Sequence, residues 1–192
     1  MKKFLAILVL SLFLITPSQA ADIRDFQIEG MSVGDSLLDY YSKEEIELRL
    51  SKIISKYKSD KFIRISFPSG FGSKEFELYE FTGAHFKKKD STYKIHALSG
   101  ALFIHNKSKC IKKHDEIVKD LSKIFTNKPQ YNVLEDEEGE FIRSRFFLDN
   151  GNIRVACNIW NEEMIKKYNW SRALRVMIMT NTFVQWLNNE AY

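Results

Sequence analysis

The sequence predicts an α+β fold, a mostly antiparallel sheet packed by two amphipathic helices with a short helix closing the C-terminus. Three observations predict it. Apolar residues recur at helical spacing in 43–57 and again in 107–125. They alternate at strand spacing in 63–67, 141–148, 153–160 and 174–178. The links between strand patterns are short, above all Asp149-Asn150-Gly151-Asn152, whose Asn-Gly step signals a hairpin rather than a crossover. With 192 residues, 44% hydrophobic and 28% charged, the chain can bury a core and has neither a disordered nor a collagen-like composition.

The first 20 residues read as a signal peptide. Lys2 and Lys3 precede the apolar run 4–15, Pro17 ends it, and Ser18-Gln19-Ala20 offers small residues to a signal peptidase. The run is shorter than the roughly 20 residues that span a bilayer, and no later stretch is longer. The expected organisation is a leader, 1–20, and a single exported α+β domain, 21–192, with no membrane span once the leader is gone. The expected destination is the periplasm or the medium of a bacterium. Losing Lys2 and Lys3 leaves 27 of 29 basic side chains against 25 acidic ones, a net +2. So small an excess excludes an electrostatic case for nucleic acid or an anionic membrane surface.

Along the mature chain, 22–29 reads as a short strand or a tail. Two capping boxes follow, Ser36 with Asp39 and Ser42 with Glu45, the second opening a helix over 43–57. A strand at 63–67 ends in the turn Pro68-Ser69-Gly70. The aromatic-rich segment 75–86 switches parity, which predicts a strand with a bulge or break near Thr82-Gly83. Residues 93–104 turn apolar on both parities after Leu98, as a central strand does. After the second helix come Pro129, an acidic loop Glu135-Asp136-Glu137-Glu138-Gly139, the hairpin, a polar stretch with Met164, Tyr168 and Trp170, the last strand, and a helix over 182–189 capped by Thr180 or Asn181. Helix plus three strands thus occurs twice, in 31–104 and 107–190, a pattern open to structural duplication.

Cys110 and Cys157 are the only cysteines. Cys110 begins the apolar stripe of the second helix, and Cys157 shares the inward parity of Ile153, Val155 and Ile159. Both sulfurs face one helix–sheet interface, so in an oxidising compartment they are expected to form a disulfide, the alternative being two buried thiols.

Gly34-Asp35-Ser36-Leu37 resembles the signature of the GDSL hydrolases. That resemblance implies an esterase with Ser36 as nucleophile. Such chemistry needs a base and oxyanion donors. The family takes its base from an Asp-x-x-His element near the C-terminus; none of His85, His96, His105 and His114 has an aspartate three residues earlier, and the Gly-x-Asn-Asp oxyanion element is missing. The same letters also describe a turn at Gly34 and a helix cap at Asp35 or Ser36. Gly30-Met31-Ser32-Val33-Gly34-Asp35-Ser36-Leu37-Leu38-Asp39-Tyr40, with the later segments Ser99-Gly100-Ala101-Leu102-Phe103 and Lys109-Cys110, resembles small secreted proteins of marine bacteria, a group that implies no activity. The order of a Gly-Met-Ser turn, a helix and then strands is similar to envelope modules of the BamE and β-lactamase-inhibitor-protein type, which are binding and scaffolding domains.

The histidines show no chelating spacing, so no metal or other cofactor is expected, and Cys110 with His114 ligates nothing once Cys110 is bridged. Lys87-Lys88-Lys89 and Lys112-Lys113 read as a hairpin turn and a polar helix face. Trp160, Tyr168 and Trp170 surround an irregular polar segment; packing is their favoured role, the alternative being an exposed platform for a sugar or peptide. The resulting expectation is an exported non-catalytic domain that binds a protein or other envelope partner through a sheet face or this tryptophan segment. Its binding residues are not marked by any motif; the alternative is a GDSL-like serine esterase using Ser36.

Overall fold

A computed structural model describes residues 22–50 and 57–191. The predicted leader, 1–20, and residues 51–56 of the predicted first helix lie outside them. The segment expected as a strand or tail is a folded hairpin. β1 (Gln27–Ile28) and β2 (Met31–Ser32) pair around Glu29 and Gly30, both left-handed at φ 53° and 78°. Ile23, Phe26, Ile28, Met31 and Val33 are buried beside it, and the Phe26 ring lies 5.2 Å from that of Phe125. α1 (Lys43–Leu50) opens on the predicted capping box: Glu45 N donates to Ser42 Oγ at 3.2 Å, and Ser42 N donates to Glu45 Oε2 at 2.8 Å.

β3 (Phe62–Pro68), β4 (Phe81–Lys87) and β5 (Ala97–Phe103) form one meander; α2 (Lys107–Ile124) follows. β6 (Gln130–Asp136), β7 (Gly139–Leu148), β8 (Gly151–Trp160) and, after α3 (Glu162–Tyr168), β9 (Ala173–Thr180) form a second; α4 (Asn181–Asn189) closes the chain. The meanders join through β5 and β9 into one seven-stranded sheet, ordered β3-β4-β5-β9-β8-β7-β6 and antiparallel throughout. The class is α+β, as expected. The first helix is followed by three strands and the second by four, because β6 lies where only a loop was expected.

Other differences have physical reasons. The strand expected over 75–86 starts only at Phe81, because the Glu29 carboxylate takes the amides of Glu77, Leu78 and Tyr79, each at 2.9 Å, and holds that segment as a loop. No break occurs at Gly83, which pairs mid-strand with Ser66 and Ser99. The polar stretch before Trp170 contains α3, capped by Asn161, whose Oδ1 accepts from Met164 N at 2.8 Å.

α2 lies across one face of the sheet. Cys110, Ile117 and Leu121 meet Val155, Cys157, Leu174 and Val176 there, together with the N-terminal hairpin. Burial of this stripe is the main source of the fold's stability. Cys110 and Cys157 are fully buried and bonded, with their Cα atoms 6.0 Å apart. On the opposite face Phe183 and Trp186 of α4 pack on Phe62, Ala97 and Met179 at one end. Among the described residues no helix is long and apolar enough to cross a membrane.

Candidate binding face

Ser36 is a cap. Its hydroxyl donates to Thr92 O at 2.6 Å and accepts from Leu38 N at 3.1 Å, and Asp39 returns the bond by accepting from Ser36 N at 3.2 Å. Asp35, its neighbour, accepts from Ser32 N and from the Tyr40 hydroxyl. Three of the four histidines have partners elsewhere: His85 with the Tyr57 hydroxyl at 3.1 Å, His114 with Asp115 at 2.9 Å, and His96 edge-on to Phe62. Among the described residues no three His, Cys, Asp or Glu side chains gather as metal ligands would.

The sheet face away from α2 has a different chemistry. Alternation sends Arg64, Arg143, Arg145, Arg154 and Arg175 to that side, since their neighbours Ile63, Ile65, Ile142, Ser144, Val155, Leu174 and Val176 point to α2. Register sets them in order. Arg64 stands opposite His85; Arg154 stands between Met177 and Arg145; Arg175 stands between Ala101 and Ala156, and Ala156 in turn meets Arg143. The floor between them is made of small residues, Gly83, Ser99, Ala101, Ala156 and Ala173, all buried. Gly83 has a specific reason to lack a side chain. A Cβ there would meet Ser99 Oγ at 2.9 Å and Arg64 Nη2 at 3.0 Å, so the Arg64 guanidinium lies over the bare backbone of β4.

Aromatic clusters mark both ends. Tyr57, Phe62, Phe183 and Trp186 stand at the α4 end; at the other, Phe141 meets Trp160 edge-on, Trp160 meets Trp170 at a tilt, and Trp170 stacks on Tyr168. The predicted aromatic segment therefore adjoins this face, with Tyr168 41% exposed. Arg143 lies 5.0 Å from the Phe141 ring centre and Arg145 5.8 Å from that of Phe147, both cation–π contacts.

The electrostatics are one-sided. From β3 to β9 every charged side chain on this face is arginine, except Lys87 at one rim and Asp136 at the other. Among the described residues neither Arg64 nor Arg175 belongs to an ion pair. Burial draws the pKa of Arg64 down and takes that of Arg175 to about 10, where the charge of Arg64 adds to the effect. His85, 2% exposed, is held well below its ordinary pKa by burial first and by Arg64, Arg175 and Arg154 after that, so it is neutral at pH 7. Among the described residues its Nδ1 has no hydrogen-bond partner, and neither has the buried Ser66 Oγ.

The sequence holds a signal for this face. At the strand positions the alternation assigns to the side away from the core, the charged residues are five arginines, with Lys87 and Asp136 at the two rims. No known family matches the chain, and neither a curated protein nor a solved structure matches it.

Proposed function

We propose that this chain is an exported, non-catalytic domain whose first 20 residues are a removable leader, and that its open sheet face binds a protein or other envelope partner. The leader pattern supports export. So does the buried disulfide, since such bonds persist in the oxidising space outside the cytoplasm. One observation carries the binding reading: an idle surface mixes charges of both signs, whereas this face presents arginines over a floor of small residues. Its electrostatic complement is a partner surface with excess negative charge. Ser36 supports the non-catalytic part, because its hydroxyl proton is directed to the Thr92 carbonyl, which cannot act as a general base.

The test is site-specific photocrosslinking in the native host. A photoreactive residue at Asn158, on the open face, is expected to give a discrete adduct. The same residue at Lys119, on the exposed side of α2, is expected to give none. Absence of an adduct from position 158, or equal adducts from both positions, would overturn the binding face. Covalent labelling of Ser36 by a fluorophosphonate would replace this reading with the esterase.

A further inference from the structure

The arginine face is not uniform, and its chemistry is most specific between β3 and β9. The Arg64 guanidinium lies over Gly83, beside Ser99 Oγ. On the far side of β5, Arg175 stands next to Ala101. Ser99 and Ala101, 3% and 4% exposed, form the floor between them, and Tyr57, whose hydroxyl meets His85 at 3.1 Å, lies near both arginines. The strand spacing puts the β4 and β9 backbones about 10 Å apart across β5. Arg154 flanks the same floor from β8, one Nη resting 2.9 Å from Met177 Sδ. Two polar atoms at the border, Ser66 Oγ and His85 Nδ1, lack partners among the described residues. The surroundings thus offer forked cations and hydroxyls, and among the described residues no carboxylate pairs with Arg64 or Arg175.

Two arginines rooted on β3 and β9, close enough for the charge of one to act on the other, set a requirement on what they hold. A single carboxylate has one charge and two oxygens in a plane, which one arginine fork satisfies. Two forks on separate strands fit a group with nearly two charges and three or more acceptor oxygens. A phosphomonoester is such a group near neutral pH. Half-buried arginines with no carboxylate partner among the described residues are costly to keep, so the pair is better explained as a ligand site than as a brace.

We infer that Arg64 and Arg175, over the Ser99–Ala101 floor, bind the phosphomonoester group of the partner or ligand that the open face receives. This inference rests on the binding reading and deepens it by naming the chemistry recognised.

The test is titration of the purified full chain with inorganic phosphate at constant ionic strength, followed by calorimetry and thermal unfolding, with sulfate and acetate in parallel. Saturable binding of phosphate is expected, with sulfate weaker and acetate at the level of the salt control. Arg64→Gln and Arg175→Gln are each expected to weaken phosphate binding at least tenfold, and Arg145→Gln, farther along the face, less than twofold. Without phosphate, Arg64→Met and Arg175→Met are expected to raise the melting temperature, because each removes a cation that lacks a counter-charge. Phosphate binding no stronger than the salt control would overturn the inference. So would binding unaffected by Arg64→Gln and Arg175→Gln, or a lowered melting temperature in both methionine variants. A crosslinked partner at position 158 combined with no phosphate binding would leave the binding face standing and remove only its phosphoryl specificity.

Discussion

Reducing the Cys110–Cys157 bond tests how the two layers are held together. The bond joins α2 to the centre of the sheet across a sequence separation of 47, and both sulfurs are fully buried. In the chain-entropy account, opening a loop of that length frees the unfolded ensemble by about 4 kcal/mol at 25 °C. That is a large share of the ~5–15 kcal/mol by which domains are folded. The reduced wild type isolates the entropic part, since its thiols still fill the interface. The double variant Cys110→Ala with Cys157→Ala adds the cost of two small voids and should lose slightly more. Urea unfolding of the oxidised, reduced and double-alanine proteins measures both quantities. The expected outcome is a loss of about 4 kcal/mol on reduction, with a steeper dependence on urea because the unbridged chain exposes more surface. A reduced protein within ~1 kcal/mol of the oxidised one, at unchanged slope, would refute the assignment of this bond as the main constraint on the unfolded chain.

Three further outcomes follow from the packing. Ser36→Ala removes the cap over Leu37–Asp39 and its bond to Thr92, and should cost about 0.5–2 kcal/mol in chemical denaturation. His85 is neutral in the fold but takes a proton near pH 6.5 when unfolded, so the unfolded state binds more protons below that pH. Stability should therefore fall as pH drops from 6.5 toward 5, by up to about 1.4 kcal/mol per unit, with His96, also lowered, adding in the same direction. His85→Gln should flatten that slope, and a pH series of urea melts checks it. Gly151→Ala places a Cβ 2.2 Å from the Met179 carbonyl oxygen at the start of β8, so backbone must move, and a loss of about 1–3 kcal/mol in the same assay is expected.

The elements legible in the sequence are those whose burial repeats at a fixed period. α2 alternates its stripe every three or four residues, and β8 and β9 alternate at two; the parity that sent Cys157 inward placed it against Cys110. β6 was not legible because it is an edge strand exposed along its whole length, leaving no buried parity to read. Its acidic end is the turn of the β6–β7 hairpin. α3 spans seven residues with only Met164 buried, too short a stripe to stand out from a polar loop. The loop before β4 depends on Glu29, some fifty residues earlier, and no local pattern encodes that contact.

The arginine face was half legible, and the missing half is topological. Alternation alone assigns Arg64, Arg143, Arg145, Arg154 and Arg175 to one side of their own strands, where each reads as an ordinary solvent-facing charge. Their meeting requires β9 to pair with β5, which brings Arg175 next to Ala101 and two strands away from Gly83. That pairing also buries the floor, so charges that would be cheap on isolated hairpins become desolvated on the assembled sheet. A fold selected for stability alone would alternate these arginines with glutamates or replace them with threonine and valine, as solvent-facing sheet positions allow. Retaining them, with Gly83 kept bare so that one guanidinium can lie flat, is consistent with a face shaped for a negatively charged ligand rather than for its own packing.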